Sequence, residues 1–180
     1  MKKISILLTT MALLVSLNSA YAQECNDNTR KTVPDSRFEN INNGTVKDKQ
    51  TGLIWQQCSI GQTLLNGQCN GEARDLTWKQ ALTEAKAYGE GWRLPNIKEL
   101  NSILEQSCTD PMLNFKHFPI VNDRFEARYW SATPSVSEVV LPRFNIIQKN
   151  NIVTLDLGDG SLAINEPQAE FRGLAVKSAE

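Results

Sequence analysis

The chain has 180 residues and a formal net charge of −1, with 19 basic side chains against 20 acidic ones. This near balance excludes the strongly basic surface of a general nucleic-acid-binding protein. The length fits one domain with a substantial hydrophobic core, and the apolar runs after the amino-terminal stretch are too short to span a membrane.

Residues 1–22 have the pattern of a bacterial-type secretory signal peptide. Two lysines at positions 2 and 3 precede an uncharged apolar run that extends to about Leu17, and small residues occupy the cleavage-specifying positions Ala20 and Ala22. A membrane anchor needs about 20 apolar residues, so we favour cleavage after Ala22. Loss of both lysines lowers the net charge to −3. We expect a periplasmic or secreted protein with no transmembrane anchor after cleavage.

Four cysteines follow the signal peptide, and an even number in an exported chain is typical of disulfides. The segment between Cys58 and Cys69 contains the turn dipeptide Asn66-Gly67, which favours pairing of these two cysteines. The second disulfide then joins Cys25 to Cys108. A four-thiolate metal site needs pairs at spacings of about two to four residues, so we expect no metal. Cys25 does not directly follow the cleavage point, which makes lipoprotein processing the less favoured alternative.

The amino-terminal part of the mature chain divides into two segments. Residues 23–37 are polar, contain Pro34 near their end, and predict an extended arm. From Phe38 to Gln57, β-prone residues are separated by turn sequences at Asn43-Gly44 and at residues 48–52, which predicts a hairpin.

Two helices are indicated by capping boxes. In the first, Thr77 is the N-cap, Gln80 follows three residues later, and Gly89 ends the helix. In the second, Asn96 precedes Glu99 and the pattern ends before residue 108. Apolar residues recur at helical spacing and predict buried faces made of Trp78, Ala81, Leu82, Ala85 and Tyr88 in the first helix, and of Ile97, Leu100, Ile103 and Leu104 in the second.

Beyond Pro111, β-branched and aromatic segments alternate with turn-rich ones. Because the helices are grouped and most strands come late, the order predicts an α+β fold with an antiparallel sheet rather than a parallel βαβ sheet. The predicted late strands cover residues 128–133, 143–148, 152–157 and 171–178.

Distinctive motifs lie between Phe38 and the end of the chain. They are Gly44-Thr45-Val46-x-Asp48-x-x-Thr51-Gly52-Leu53-x-Trp55, Cys58-x-x-Gly61-Gln62, Thr77-Trp78-x-x-Ala81, Trp92-Arg93-Leu94-Pro95-Asn96-x-Lys98-Glu99-Leu100, Phe118-Pro119 and Tyr129-Trp130-Ser131-x-Thr133. In this order they resemble the Lcl C-terminal domain family, long classified as a domain of unknown function.

The resemblance implies that residues 38–180 form a C-type-lectin-like domain, with two helices packed on a twisted antiparallel sheet, here stapled by two disulfides. Family members are typically exported, and one branch is an adhesin module that binds sulfated polysaccharides. The wider fold also includes formylglycine-generating oxidases, so the fold alone does not define the function. The final strand departs from the pattern, since only Arg172 and Lys177 correspond to the basic Arg-x-Val-Arg ending of many relatives.

Candidate ligand-binding residues come from two parts of the chain. The planar guanidinium of Arg93 suits sulfate or carboxylate, although helix capping explains most of its motif without a ligand. Between Lys116 and Lys149, five basic residues against three acidic ones indicate a polyanion-binding face, with ordinary solvated charges as the alternative. Trp130 offers an indole to a sugar, but an indole with apolar neighbours more often belongs to the core. The candidate set is Arg93, Lys116, Arg124, Arg128, Trp130 and Arg143.

Catalysis and calcium binding have less support. His117 is the only histidine and no Gly-x-Ser-x-Gly motif accompanies it. No cysteine follows Cys108, whereas oxidases of this fold use a late cysteine pair. Residues 165–168 partly resemble the calcium loop of related lectins, but calcium takes about six to eight oxygen ligands, so we expect no cofactor.

Our leading hypothesis is an exported, non-catalytic, adhesin-like module that binds a glycan, such as a sulfated polysaccharide, or a surface protein through the loops around residues 110–150. The second hypothesis is an enzyme of the formylglycine-generating-enzyme-like fold, or a hydrolase that uses dispersed carboxylates. The third is a structural protein of the cell envelope. None of the three involves nucleic acid.

Overall fold

The computed structural model describes residues 23–42, 44–120, 128–135 and 150–179. Outside these ranges lie the predicted signal peptide, Asn43 of the first predicted turn, the strand predicted at residues 143–148, and the candidates Arg124 and Arg143. The described part is a mixed α and β structure, mostly sheet, with two α-helices and two disulfides. Within it, neither helix combines the length and apolar character that crossing a bilayer requires.

The early strands, the two helices and the late strands follow one another in the predicted order, and several short strands that sequence analysis did not predict lie among them. A short 3-10 helix covers Asp35–Arg37, and the two α-helices are α1 (Trp78–Lys86) and α2 (Ile97–Ser102). The strands of the described ranges are β1 (Glu24–Cys25), β2 (Phe38–Asn42), β3 (Thr45–Asp48), β4 (Leu53–Gln56), β5 (Thr63–Leu65), β6 (Gln68–Asn70), β7 (Cys108–Thr109), β8 (Arg128–Pro134), β9 (Ile152–Asp156), β10 (Leu162–Asn165) and β11 (Val176–Ser178).

Strand pairing within every described sheet is antiparallel, as predicted, but the strands form separate sheets instead of one. The four-stranded sheet has the order β11-β4-β3-β2, and the three-stranded sheet has the order β10-β9-β8. Two further pairs, β1-β7 and β5-β6, form small ribbons. The last strand returns to the early meander, since Val176 lies opposite Trp55. Both helices contact β8, and α2 also contacts β9.

Both predicted helix starts are confirmed. The backbone N–H of Thr77 donates to Gln80 Oε1 (2.9 Å). At α2, Asn96 Oδ1 accepts from the Glu99 N–H (2.9 Å) and Glu99 Oε2 accepts from the Asn96 N–H (2.8 Å). Such reciprocal bonds satisfy N–H groups that have no partner inside the helix.

The helix ends differ from the prediction, because both helices stop early. The second helix ends at Ser102, so Ile103 lies beyond it although its side chain is fully buried. The first ends at Lys86, and Tyr88 therefore leaves the predicted apolar face and is 37% exposed. The prediction that Tyr88 belongs to a buried helical face is wrong.

The core consists of two clusters of buried side chains. One contains Trp55 of β4, Leu100 of α2 and Tyr129 of β8. The other contains Ala81 of α1 and Trp130 of β8. Successive residues of β8 therefore enter different clusters, as expected for a strand whose side chains alternate between faces, and each helix supplies a buried residue to one cluster.

The amino-terminal arm, residues 23–37, is fastened to the segment that follows α2. Both predicted disulfides are confirmed, and Cys25–Cys108 links the arm to β7. The Glu105 carboxylate, in a residue only 3% exposed, accepts hydrogen bonds from the backbone N–H groups of Thr32 (3.0 Å) and Val33 (2.8 Å). These anchors flank residues 26–31 and fix the course of the arm.

Candidate functional site

The guanidinium of Arg93 is occupied within the fold. Its Nη1 and Nη2 atoms donate to the two carboxylate oxygens of Glu99 at 2.8 and 2.7 Å. This hydrogen bonding raises the pKa of Arg93. Burial alone would raise the pKa of Glu99, but the bonds from Arg93 and from the Asn96 N–H outweigh it and hold that pKa below its usual value. The geometry therefore favours the structural interpretation of Arg93, in which the pair locks the start of α2.

Lys116 and Arg128 are also paired with carboxylates. Lys116 Nζ lies 3.0 Å from Asp35 Oδ2 and ties the loop before His117 to the arm. Arg128 Nη2 lies 3.5 Å from Asp156 Oδ2 on the neighbouring strand. Each of the three described cationic candidates thus has its own acidic partner, and none of them contributes an unpaired positive charge to a common face.

Trp130 belongs to the core in this structure and has no face available to a ligand. The residue is fully buried, its indole N–H donates to the carbonyl oxygen of Leu76 (2.6 Å), and its ring packs edge-on against Phe171 with centroids 5.0 Å apart. The structure therefore favours the core interpretation of Trp130 over the predicted ligand contact, because a sugar platform needs an exposed ring face.

A cleft that sequence analysis missed lies between the arm and the turn that joins β3 to β4. It has a volume of about 660 Å³ and is lined by Arg30, Lys31, Thr32, Pro34 and Gln50. We call it the arm cleft. The volume falls within the range of about 300–1,000 Å³ typical of small-molecule sites.

Two buried carboxylates position the walls of the arm cleft. Glu105 holds the arm wall through Thr32 and Val33, as described above. Asp48, which is fully buried, holds the turn wall by accepting from the Gln50 N–H (2.9 Å) and the Thr51 hydroxyl (2.7 Å). Asp48 also accepts hydrogen bonds from Nε and Nη2 of the Arg37 guanidinium. Burial would raise the pKa of Asp48, yet these hydrogen bonds together lower it.

The arm cleft presents positive charge. Arg30 and Lys31 are both exposed, and neither makes an ion pair with any residue that the structure describes. The described lining contains no carboxylate. The sequence signal for this cleft is the adjacent basic pair in the arm, which is a weaker signal than the five basic residues between positions 116 and 149.

Acidic residues after β8 accept hydrogen bonds from backbone N–H groups nearby in the sequence. Asp156 accepts from the Gly158 N–H (2.8 Å) and Asp159 accepts from the Ser161 N–H (2.8 Å). Both bonds lie within the turn between β9 and β10, and hydrogen bonding from Ser161 lowers the pKa of Asp159. In the described ranges, no three His, Cys, Asp or Glu side chains converge as metal ligands would.

The fold and these sites define a disulfide-stapled, mixed α and β domain, and its two disulfides indicate an extracellular or periplasmic environment. The model of the Lcl C-terminal domain matches residues 44–177, and the chain belongs to this family. The family resemblance of the sequence motifs is thereby confirmed. No curated protein matches the chain. The arm residues that line the cleft, from Arg30 to Pro34, precede the matched range, whereas Gln50 lies within it.

Proposed function

We propose that the protein is an exported, non-catalytic binding module that holds an anionic glycan in the arm cleft. The observation that carries this proposal is the pair of exposed cations, Arg30 and Lys31, which line the cleft without acidic partners among the described residues. A guanidinium binds sulfate or carboxylate through two parallel hydrogen bonds, and an ammonium adds a compact point charge. Both are suited to a sulfated or uronic-acid sugar.

The size and chemistry of the cleft support a glycan rather than a single small anion. Its volume of about 660 Å³ accommodates more than one sulfate or carboxylate group. The exposed carboxamide of Gln50 offers a donor and an acceptor to sugar hydroxyls, and Pro34 offers an apolar surface to a sugar ring. Because the arm is anchored on both sides, the walls are formed before the ligand arrives, which reduces the entropy lost on binding.

The remaining parts of the proposal have their own support. The leader pattern of residues 1–22 and the two disulfides support export to the periplasm or beyond. Family membership and the packing of both helices against β8 support a C-type-lectin-like fold. The structural use of the carboxylates Asp48, Glu99 and Glu105 supports a non-catalytic role, since each is engaged by hydrogen-bond donors of the fold.

Titration calorimetry of the chain from Gln23 onward with oligosaccharides of dextran sulfate, alginate and uncharged dextran tests the proposal. We expect binding of at least one anionic oligosaccharide and none of dextran. The double variant Arg30→Gln, Lys31→Gln should weaken that binding about tenfold or more, because two charge-assisted contacts are lost.

The matched control is the double variant Lys79→Gln, Lys86→Gln, which removes the same charge from two exposed positions of α1. It should change the affinity by no more than about twofold, since isolated surface charges contribute little. An equal loss of affinity in both double variants would show that binding depends on overall charge and not on the arm cleft. Binding of neither anionic oligosaccharide would overturn the proposal.

A further inference from the structure

A second depression lies between the disulfide-closed loop of residues 58–69 and the carboxyl end of α1. It has a volume of about 280 Å³ and we call it the α1 groove. Its lining includes Ile60, Gln62, Arg74, Glu84, Ala87 and Tyr88. None of these residues lines the arm cleft, and none was a candidate in the sequence analysis.

Close backbone packing fixes the wall that carries Arg74. Gly61 has a φ of +99°, and a Cβ atom at this position would lie 2.6 Å from the Glu72 carbonyl oxygen and 2.9 Å from Arg74 Cγ. Only glycine permits this approach. The Arg74 N–H also donates to the Ile60 carbonyl oxygen (3.0 Å). The loop therefore holds the start of the Arg74 side chain at the edge of the groove.

The polar side of the α1 groove carries no net charge. Arg74 Nη1 and Nη2 donate to the two carboxylate oxygens of Glu84 at 3.2 and 2.7 Å. Both side chains stay accessible to solvent. A guanidinium has five N–H donors and a carboxylate has several acceptor sites, so the pair retains donors and acceptors for a ligand. The nearby Gln62 side chain donates to the Gly71 carbonyl oxygen (3.2 Å), which orients its carboxamide.

The apolar side of the α1 groove is an exposed aromatic ring. Tyr88 is 37% exposed because α1 ends two residues before it, and its ring packs against Trp92 with centroids 5.9 Å apart. Ile60 is almost fully buried beneath the groove. Burial raises the pKa of the Tyr88 hydroxyl, which stays uncharged at neutral pH.

We propose that the α1 groove binds one uncharged pyranose unit. The apolar face of the sugar ring stacks on Tyr88, and its hydroxyls hydrogen-bond with Arg74, Glu84 and Gln62. Neutral ligands are favoured because the only charged groups of the described lining neutralise each other. An aromatic ring beside planar polar groups matches the two-sided chemistry of a pyranose, which has a C–H face and a hydroxyl rim. The volume suits a single ring.

Two-dimensional amide NMR of the chain from Gln23 onward tests this proposal. The probes are the methyl pyranosides of glucose, galactose, mannose and N-acetylglucosamine, each titrated separately. We expect at least one to shift the amides of residues 60–63 and 84–88, with a dissociation constant in the millimolar range. Tyr88→Ala should weaken this binding about tenfold or more, whereas Tyr88→Phe, which keeps the ring, should remain within about threefold.

Phe115→Ala is the matched control, because Phe115 is 39% exposed and does not line the groove in the described structure. It should leave saccharide binding unchanged. The Arg30→Gln, Lys31→Gln variant should also keep this binding, which separates the α1 groove from the function proposed for the arm cleft. Absence of shifts with all four pyranosides would overturn the proposal. So would shifts caused by N-acetylphenylalaninamide alone, since these would assign the groove to a protein side chain.

Discussion

The start of α2 and the arm wall of the arm cleft use their carboxylates in different ways. At α2, Glu99 accepts from the Asn96 N–H and also takes the guanidinium of Arg93. At the arm, Glu105 accepts from backbone N–H groups and hydroxyls, including those of Thr32 and Ser107, and its hydrogen bonds in the described structure involve no basic side chain. The count of basic residues in a segment therefore says little about ligand binding. The decisive point is whether a nearby acid pairs with that basic side chain or is engaged by other donors of the fold.

Glu105→Ala gives the largest expected effect, because it removes the carboxylate that holds the arm through Thr32 and Val33. Several buried donors, among them the Val33 N–H, lose their acceptor, and each unsatisfied donor costs about 1–3 kcal/mol. We expect the free energy of unfolding to fall by about 3 kcal/mol in urea titrations. Amide hydrogen exchange of residues 30–33 should accelerate, and anionic-glycan binding should weaken. Glu90→Ala, at an exposed position, is the control, and an equal change in it would contradict the role assigned to Glu105.

Arg93→Gln tests the second region by removing the ion pair with Glu99 at the start of α2. The Arg93 guanidinium is partly exposed, and such ion pairs contribute about 1 kcal/mol or less. We expect a small loss of stability and no change in the affinity for anionic oligosaccharides, measured by the same calorimetry. A loss of affinity comparable to that of Arg30→Gln, Lys31→Gln would show that Arg93 is a ligand-binding residue.

The pH dependence of stability that His117 produces is the smallest expected effect. It tests the contact between the arm and the loop that carries Lys116. Burial lowers the pKa of His117 despite the opposing charge of Asp35, and Lys116 lowers it further. The unfolded chain, with a histidine pKa of about 6.5, then binds more protons than the folded chain as the pH falls. Stability is therefore present above about pH 6.5 and declines between that value and the lower pKa of the folded state.

Urea unfolding at pH 7.5 and pH 5.5 measures this dependence. This window lies above the ordinary range of carboxylate pKa values, which is about 4, and the chain has no other histidine. The wild type should be less stable at the lower pH, and His117→Gln should lose most of the difference. A greater stability of the wild type at pH 5.5 would show that the charge of Asp35 dominates over burial.

Local patterns were sufficient to predict much of the fold. The capping boxes at Thr77 and Asn96 involve residues three apart, and the turn at Asn66-Gly67 brings Cys58 near Cys69, so short-range sequence specified each feature. The separation of the strands into sheets was not accessible, because β4 pairs with β11, more than a hundred residues later. No local pattern encodes such a pairing.

The candidate sites were harder to predict for the same reason. Whether Arg30 and Lys31 lack an acidic partner among the described residues depends on which donors Glu105 and Asp48 accept from. These two carboxylates lie far from the basic pair in sequence or in another element. Tyr88 fits the helical spacing of its neighbours, and only the early end of α1 at Lys86 exposes it. Conversely, Trp130 was correctly suspected of being a core residue, because its strand pattern already placed it among apolar neighbours.

The Cys25–Cys108 disulfide makes the rigidity of the arm cleft depend on the redox state of its compartment. This bond forms where thiols are oxidised, and it closes a loop with a sequence separation of 83 residues. A newly made chain in a reducing compartment has the same side chains, but one wall of its cleft is attached by noncovalent contacts alone. The cleft therefore acquires its full rigidity only in the oxidising compartment where this cross-link forms.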